Sequence, residues 1–162
     1  GKDSSGVLNL RWFELAPPVD PASYSLHARV QAENVLASNG VQTSSIVSSF
    51  DRKDFMLYDD VWFGSAGETT KIRLRFAKKG RRKTKMEVRL DGVHGKVIGS
   101  FTPWMTDKRS WSTYVEGTFD IDGTIEGLHK LVFYGTKSRG IMNIDWFELA
   151  GSPRSAIFVP QL

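Results

Sequence analysis

Lys71-Ile72-Arg73-Leu74-Arg75-Phe76 alternates charged and apolar residues without a break, and Lys85-Met86-Glu87-Val88-Arg89-Leu90 soon does the same. Successive side chains of a strand point to opposite faces. Each stretch therefore puts three apolar residues on one face and its charges on the other, the pattern of a half-buried strand. Two such strands in succession, with only a short segment between them, predict a hairpin. Working outward, the sequence predicts further strands at 28–33, 55–62, 96–101, 112–119, 128–134 and 141–149. Turn signals separate them: Asn39-Gly40, Ser65-Ala66-Gly67, Asp91-Gly92, Asp122-Gly123 and Glu126-Gly127. No stretch of ten or more residues carries a helical stripe. The expected fold is all-β, a two-sheet β-sandwich of jelly-roll type. Alternation itself does not separate jelly-roll from Greek-key connectivity.

The segment joining the two deciding strands is the most charged in the chain. Lys78, Lys79, Arg81, Arg82, Lys83 and Lys85 place six cations within eight residues. Removing them from the net charge of +4 leaves −2, so the chain carries one basic spike and is otherwise slightly acidic. Such a spike is either a solvated turn or an attractor for an anionic partner. At 162 residues, 40% of them hydrophobic, the chain suffices for one packed domain. It contains no cysteine, which excludes a disulfide framework, a Cys-ligated zinc and a thiol nucleophile. The three histidines form no HExxH pair, and no nucleophile elbow, phosphate loop or dinucleotide fingerprint is present. Carboxylate pairs such as Asp59-Asp60 and Asp120/Asp122 read as turn residues, so no catalytic role is expected. No apolar run is long enough to span a bilayer.

An internal repeat brackets the body. Residues 6–16 and 140–150 are identical at seven of eleven positions, with Arg11 where Asp145 stands and Asn9 matching Asn143. We read residues 1–16 as the last strand of a preceding similar module, 17–25 as a Pro-rich linker, 26–150 as the complete module and 151–162 as a tail or linker. The alternative is an extra strand added to this domain or to a second copy.

Several stretches also carry a family resemblance. They are Val30-Gln31-Ala32-Glu33 with Asn39-Gly40-Val41-Gln42-Thr43, then Asp54 through Gly64, Leu90-Asp91-Gly92 through Gly99, Trp111-Ser112-Thr113-Tyr114, and Gly127 through Phe133 leading to Asn143-Ile144-Asp145-Trp146-Phe147. In this order and spacing the chain resembles a family 6 carbohydrate-binding module, the β-sandwich appended to many secreted polysaccharide-degrading enzymes. It departs from that family in having Phe55 where Trp is usual and Ser49-Phe50 where a tyrosine is usual. The segment after Phe76, often Gly-rich and neutral in the family, is here basic.

The resemblance implies a set of site residues. A sugar ring has an apolar face and a rim of hydroxyls, and is met by a flat aromatic beside amides or carboxylates. Trp111 is the implied platform and Asn143 the polar residue beside it. Phe50 is the expected opposite wall, with Tyr58 as the other choice, and Trp104 is a candidate extension of that surface. Trp62 reads as core. A second sugar surface, on the concave face of one sheet, would use Phe55 and Glu33. Family likeness further implies a structural calcium ion (Ca2+) on Gln31, Glu33 and Asp145, with backbone carbonyls completing its shell.

The function expected is non-catalytic: polysaccharide binding that targets an attached glycoside hydrolase, in a secreted, extracellular protein with tandem modules. The basic spike favours an anionic or sulfated marine glycan. Neutral agarose, xylan or β-1,3-glucan stays open, as does a structural or protein-interaction sandwich. Partners expected are the polysaccharide, the attached catalytic domain and the neighbouring module, with no nucleic acid and no membrane.

Overall fold

The computed structural model describes residues 27–151. The expectations for 1–16, for the linker and for the tail beyond residue 151 lie outside the described residues. Eleven strands run from β1 (Arg29–Gln31) through β2 (Ala37–Asn39), β3 (Gln42–Thr43), β4 (Val47–Ser48), β5 (Phe55–Trp62) and β6 (Lys71–Ala77). They continue with β7 (Lys85–Leu90), β8 (Val97–Phe101), β9 (Tyr114–Asp120), β10 (Leu128–Lys137) and β11 (Asn143–Ala150). The first sheet has the order β3-β4-β11-β6-β9, and β1 shares with β4 the outer edge of β11. The second has the order β2-β5-β10-β7-β8. All these pairings are antiparallel. From β4 onward the chain changes sheet at almost every connection, as a jelly roll does.

Alternation works as expected inside the strands. Ile72, Leu74 and Phe76 are fully buried, as are Met86 and Val88, while Arg73, Arg75, Glu87 and Arg89 lie on the outer faces. Facing them, β5 contributes Met56 and Tyr58, β10 contributes Leu131 and Phe133, and β11 contributes Phe147. The rings of Tyr58, Phe133 and Phe147 meet edge to face at 4.7–5.6 Å and form the centre of the core. The Tyr58 hydroxyl donates to the Ala32 carbonyl at 2.7 Å, which satisfies the one polar atom this ring carries inside.

One topological expectation is overturned. The strands at 71–76 and 85–90 are not a hairpin: β6 pairs with β11 and β9, and β7 pairs with β10 and β8. The basic segment is thus a crossover between sheets. Alternation tells which face of a strand is buried, and both strands bury a face against the same core from opposite sides. Boundaries also moved. The first strand ends at Gln31, because the Asn34 N–H turns back to the Gln31 carbonyl. The ninth begins at Tyr114, because the residues before it are held in a loop by the Asp107 carboxylate.

Candidate functional site

Trp111 owes its position to three local devices. The first is the Asp107 carboxylate, which accepts the N–H groups of Arg109 at 2.7 Å and Ser110 at 3.0 Å and the Thr113 hydroxyl at 3.1 Å. Those three donors hold its pKa below the ordinary carboxyl value, the Arg109 N–H most strongly. The second straps this loop to the crossover: Thr106 N–H donates to the Lys78 carbonyl, Gly80 N–H to the Asp107 carbonyl, and Lys78 N–H to the Thr106 hydroxyl. Gly140 is the third. Its backbone has φ +64°, and a Cβ there would lie 3.2 Å from the indole Cη2. The glycine is a seat for the indole that a side chain would crowd.

Asn143 opens β11 directly behind this platform. Its amide donates to the Trp111 carbonyl at 3.3 Å. Phe50 and Asp51 close the other side through the main chain. The Gly140 N–H donates to the Asp51 carboxylate at 2.6 Å, and the Ile141 N–H to the Phe50 carbonyl at 2.8 Å. A cavity of about 360 Å3 results, lined by Trp111, Asn143, Phe50, Ser48 and Ser49 among others. Trp111, Asn143 and Phe50 are therefore brought together. Phe50 differs from the expected opposite wall, however: it is 1% exposed and borders the cavity from the core side. Trp111 supplies the half-exposed aromatic face, and Ser48 and Ser49 line the same cavity.

The other candidates lie elsewhere. Tyr58 is a core ring at 2% exposure, its pKa driven far up by burial and, secondarily, by the Glu33 charge. Trp104 is 48% exposed, yet its ring packs edge-on against Phe76 and Phe101 and does not line the Trp111 cavity. Trp62 is half-buried beside a separate cavity of about 220 Å3 near Asp59, Asp60 and His27. Phe55 sits on the outer face of the second sheet, in register with Tyr134. Arg89 lies over Tyr134 at 4.1 Å and pairs with Glu87. Glu33 follows β1, near the Tyr58 hydroxyl, so Phe55 and Glu33 belong to different places.

For a cation, the residues fit in part. β1 and β11 are joined where Ala32 N–H donates to the Asp145 carbonyl at 2.9 Å, between Gln31 and Glu33. Glu33 Oε2 is buried and has no hydrogen-bond partner, an orphaned acceptor that a bound cation would satisfy. The Asp145 carboxylate is instead engaged by the Arg75 guanidinium. Among the described residues no group of three or more His, Asp or Glu side chains gathers at one point. Three of the four aspartates read as turn residues are held in ion pairs: Asp59 with Lys130, Asp120 with Lys71 and Asp122 with Lys96.

Sequence reasoning missed two parts of this site. Lys78 is 1% exposed, and its ammonium donates to the Thr84 hydroxyl at 3.0 Å and to the Gly140 and Ile141 carbonyls at 3.2 and 3.4 Å. Burial, and then the nearby Arg82 charge, lowers its pKa. It is a pillar under the indole's seat. The signal was present, since continuing the alternation 72, 74, 76 points residue 78 inward. The second miss is the set of cations contributed by other loops, Arg52, Lys53, Lys108 and Arg139, which converge on the crossover only in three dimensions.

A two-sheet jelly-roll sandwich thus carries a seated, half-exposed tryptophan beside a cavity at one end. The chain belongs to carbohydrate-binding module family 6, whose profile matches residues 23–151, and the modules of that family are non-catalytic. No curated protein sequence matches it. Among solved structures it is similar to a family 6 module from Clostridium cellulolyticum in complex with xylose. They share 24% identity over 76% of this chain and 97% of that one, with a TM-score of 0.68. A β-1,3-glucan-binding family 6 module from Bacillus halodurans shares 20% identity over 77% and 96%, with a TM-score of 0.67. An arabinoxylan arabinofuranohydrolase of glycoside hydrolase family 43 from Bacillus subtilis shares 22% over 78% of this chain and 27% of the larger one, with a TM-score of 0.65.

Proposed function

We propose that this chain holds a polysaccharide at the Trp111 end of the sandwich and thereby keeps an attached glycoside hydrolase, in a secreted protein, on its substrate. The observation that carries this reading is the half-exposed indole seated on Gly140, with Asn143 behind it and a cavity at its side. Stacking on one indole face and hydrogen bonds exchanged against water give modest affinity per site. A tandem array, suggested by the repeat of 140–150 at 6–16, would raise it by avidity. The finer reading is an anionic glycan such as a sulfated galactan or fucan, supported by the basic crossover strapped to the Trp111 loop.

Affinity electrophoresis through gels containing neutral and sulfated polysaccharides tests both levels. The expected outcome is retardation by a sulfated glycan, weakened by salt and lost in Trp111→Ala with the melting temperature unchanged. Retardation that survives Trp111→Ala would overturn the site. Retention by neutral β-1,3-glucan alone, insensitive to salt, would overturn the anionic reading.

We also infer a structural calcium ion between β1 and β11, with Glu33 and Gln31 as ligands; its support is the orphaned Glu33 oxygen. Asp145 joins only if Arg75 releases it. Calcium is expected to raise the melting temperature of the wild type and to have no effect on Glu33→Gln. An equal rise in both proteins would exclude Glu33 as a ligand.

A further inference from the structure

The lysines and arginines of residues 27–151 divide sharply by place. Those that form ion pairs are Arg29, Lys71, Arg73 and Arg75 on the first sheet or its edge, and Arg89, Lys96 and Lys130 on the second sheet and its rim. The remainder all belong to four short segments, 52–53, 78–85, 108–109 and 137–139, and none of these forms an ion pair among the described residues. Backbone bonds draw these segments together. The Arg52 N–H donates to the Ser138 carbonyl at 2.9 Å, Lys53 N–H to the Gly135 carbonyl at 2.8 Å, and Gly80 N–H to the Asp107 carbonyl at 2.9 Å.

Two grooves run through this cluster. One, of about 470 Å3, begins at Trp111 and is lined by Lys79, Arg81, Arg82, Lys108 and Arg139. Another, of about 670 Å3, is lined by Arg82 and Arg139 again, and then by Arg52, Lys53 and Lys137. Because two arginines line both, the grooves form one track from the indole across the end of the sandwich to the end of β10. Its cations are all solvent-exposed. Two carboxylates border the second groove, and both are bonded to backbone N–H groups of the loops themselves. Asp51 accepts the Gly140 N–H, and Asp54 accepts the Asp51 N–H. Eight cations line the two grooves against these two carboxylates, so the cluster keeps a net positive field. They are matched by a partner with repeated negative charges.

We propose that one polyanionic glycan chain lies along this whole track. One sugar stacks on Trp111, and sulfate or carboxylate groups of sugars further along are taken first by Arg82 and Arg139, then by Arg52, Lys53 and Lys137. The module then binds an internal stretch of chain, and its affinity grows with chain length. This rests on the reading of Trp111 as a sugar platform. A single-stranded nucleic acid fits less well. Base stacking needs aromatic rings spaced along the strand, and Trp111 is the one ring lining either groove.

Titration calorimetry with two oligosaccharide series tests it: ι-carrageenan tetramer and dodecamer for sulfate, oligogalacturonide tetramer and dodecamer for carboxylate. In at least one series the dodecamer is expected to bind ten-fold or more tightly than the tetramer. The triple variant Arg52→Ala, Lys53→Ala, Lys137→Ala should bring the dodecamer down to about tetramer affinity and flatten its salt dependence, while weakening the tetramer far less than the dodecamer. Equal affinity for both lengths, no binding of either dodecamer, or a triple variant that binds the dodecamer like the wild type would overturn the track. So would an oligo-dT strand that binds as tightly as the dodecamer. Trp111→Ala reads the underlying platform separately: tetramer binding that persists in it would sink the platform, whatever the dodecamer does.

Discussion

The outer face of the first sheet and the Trp111 end of the sandwich use the same cations in opposite ways. On the sheet, Arg73 lies between Glu148 and Glu116, Lys71 meets Asp120, and Arg75 meets Asp145. Arg29 stacks over Trp146 at 3.7 Å, and Arg75 over Tyr114 at 4.9 Å. At the Trp111 end the cations face solvent and one another. The difference lies in what holds the backbone. Across a ladder, side chains sit opposite one another at about 4.5–5.5 Å, where a like charge is destabilising and an opposite one is favoured. A loop fixed by its own main-chain bonds can present charges that no neighbour cancels. Cancelled charge serves the fold, and uncancelled charge is what the proposed glycan track would use.

The largest expected effect sharpens this contrast from inside the loop. Lys78→Met should cost about 1–3 kcal/mol, because the buried Thr84 hydroxyl and Ile141 carbonyl lose their ammonium donor. It should also weaken sugar binding by loosening the seat under Trp111. Denaturant titration with glycan binding on the same samples measures both. A pH series adds a signature. The folded pKa of Lys78 lies below the ordinary 10.5, so the folded state releases this proton before the unfolded chain does. Stability gains from this group as pH climbs from the folded value to 10.5, and that gain should be absent from Lys78→Met. Replacing a paired cation should matter less. Lys71→Met is expected to cost about 0–1 kcal/mol, since its partner Asp120 is exposed and exposed ion pairs contribute little, and to leave glycan binding intact. If Lys71→Met proved the more damaging of the two, the division between structural and ligand-facing charge would fail.

The smallest effect concerns Asp107. Its folded pKa is depressed, so its hold on the Trp111 loop is complete above the ordinary carboxyl value of 3.8 and is lost as pH falls through the folded value. Glycan retention should therefore stay flat from pH 8 to 5 and fall only below about 3.8. In Asp107→Ala it should already be reduced at neutral pH.

The strands at 55–62, 71–76 and 85–90 were legible because period two survives wherever one face is buried. Sheet membership was not, since β6 and β7 show the same alternation while lying in opposite layers. β2, β3 and β4 are two or three residues long and too short to show a period. At the site, Trp111 and Asn143 were reached through family resemblance, and the fold places them within one hydrogen bond of each other. Tyr58 was misplaced as a possible wall although it shares parity with buried Met56, so its inward direction was readable. The grouping of Arg52, Lys108 and Arg139 was not readable, because nothing local links residues that only loop closure brings together.

The seat of Trp111 has a mechanical consequence. With a polysaccharide held on it as proposed, the indole would be pulled whenever the polymer is under flow. Load on this indole passes through Asn143 into β11, and through the strapped loop and Lys78 into β6, while the crossover carries it to β7 in the other sheet. Strands β11, β6 and β7 are each flanked on both sides. None can be unzipped from an edge one bond at a time, so the grip is anchored where the sandwich resists shear best.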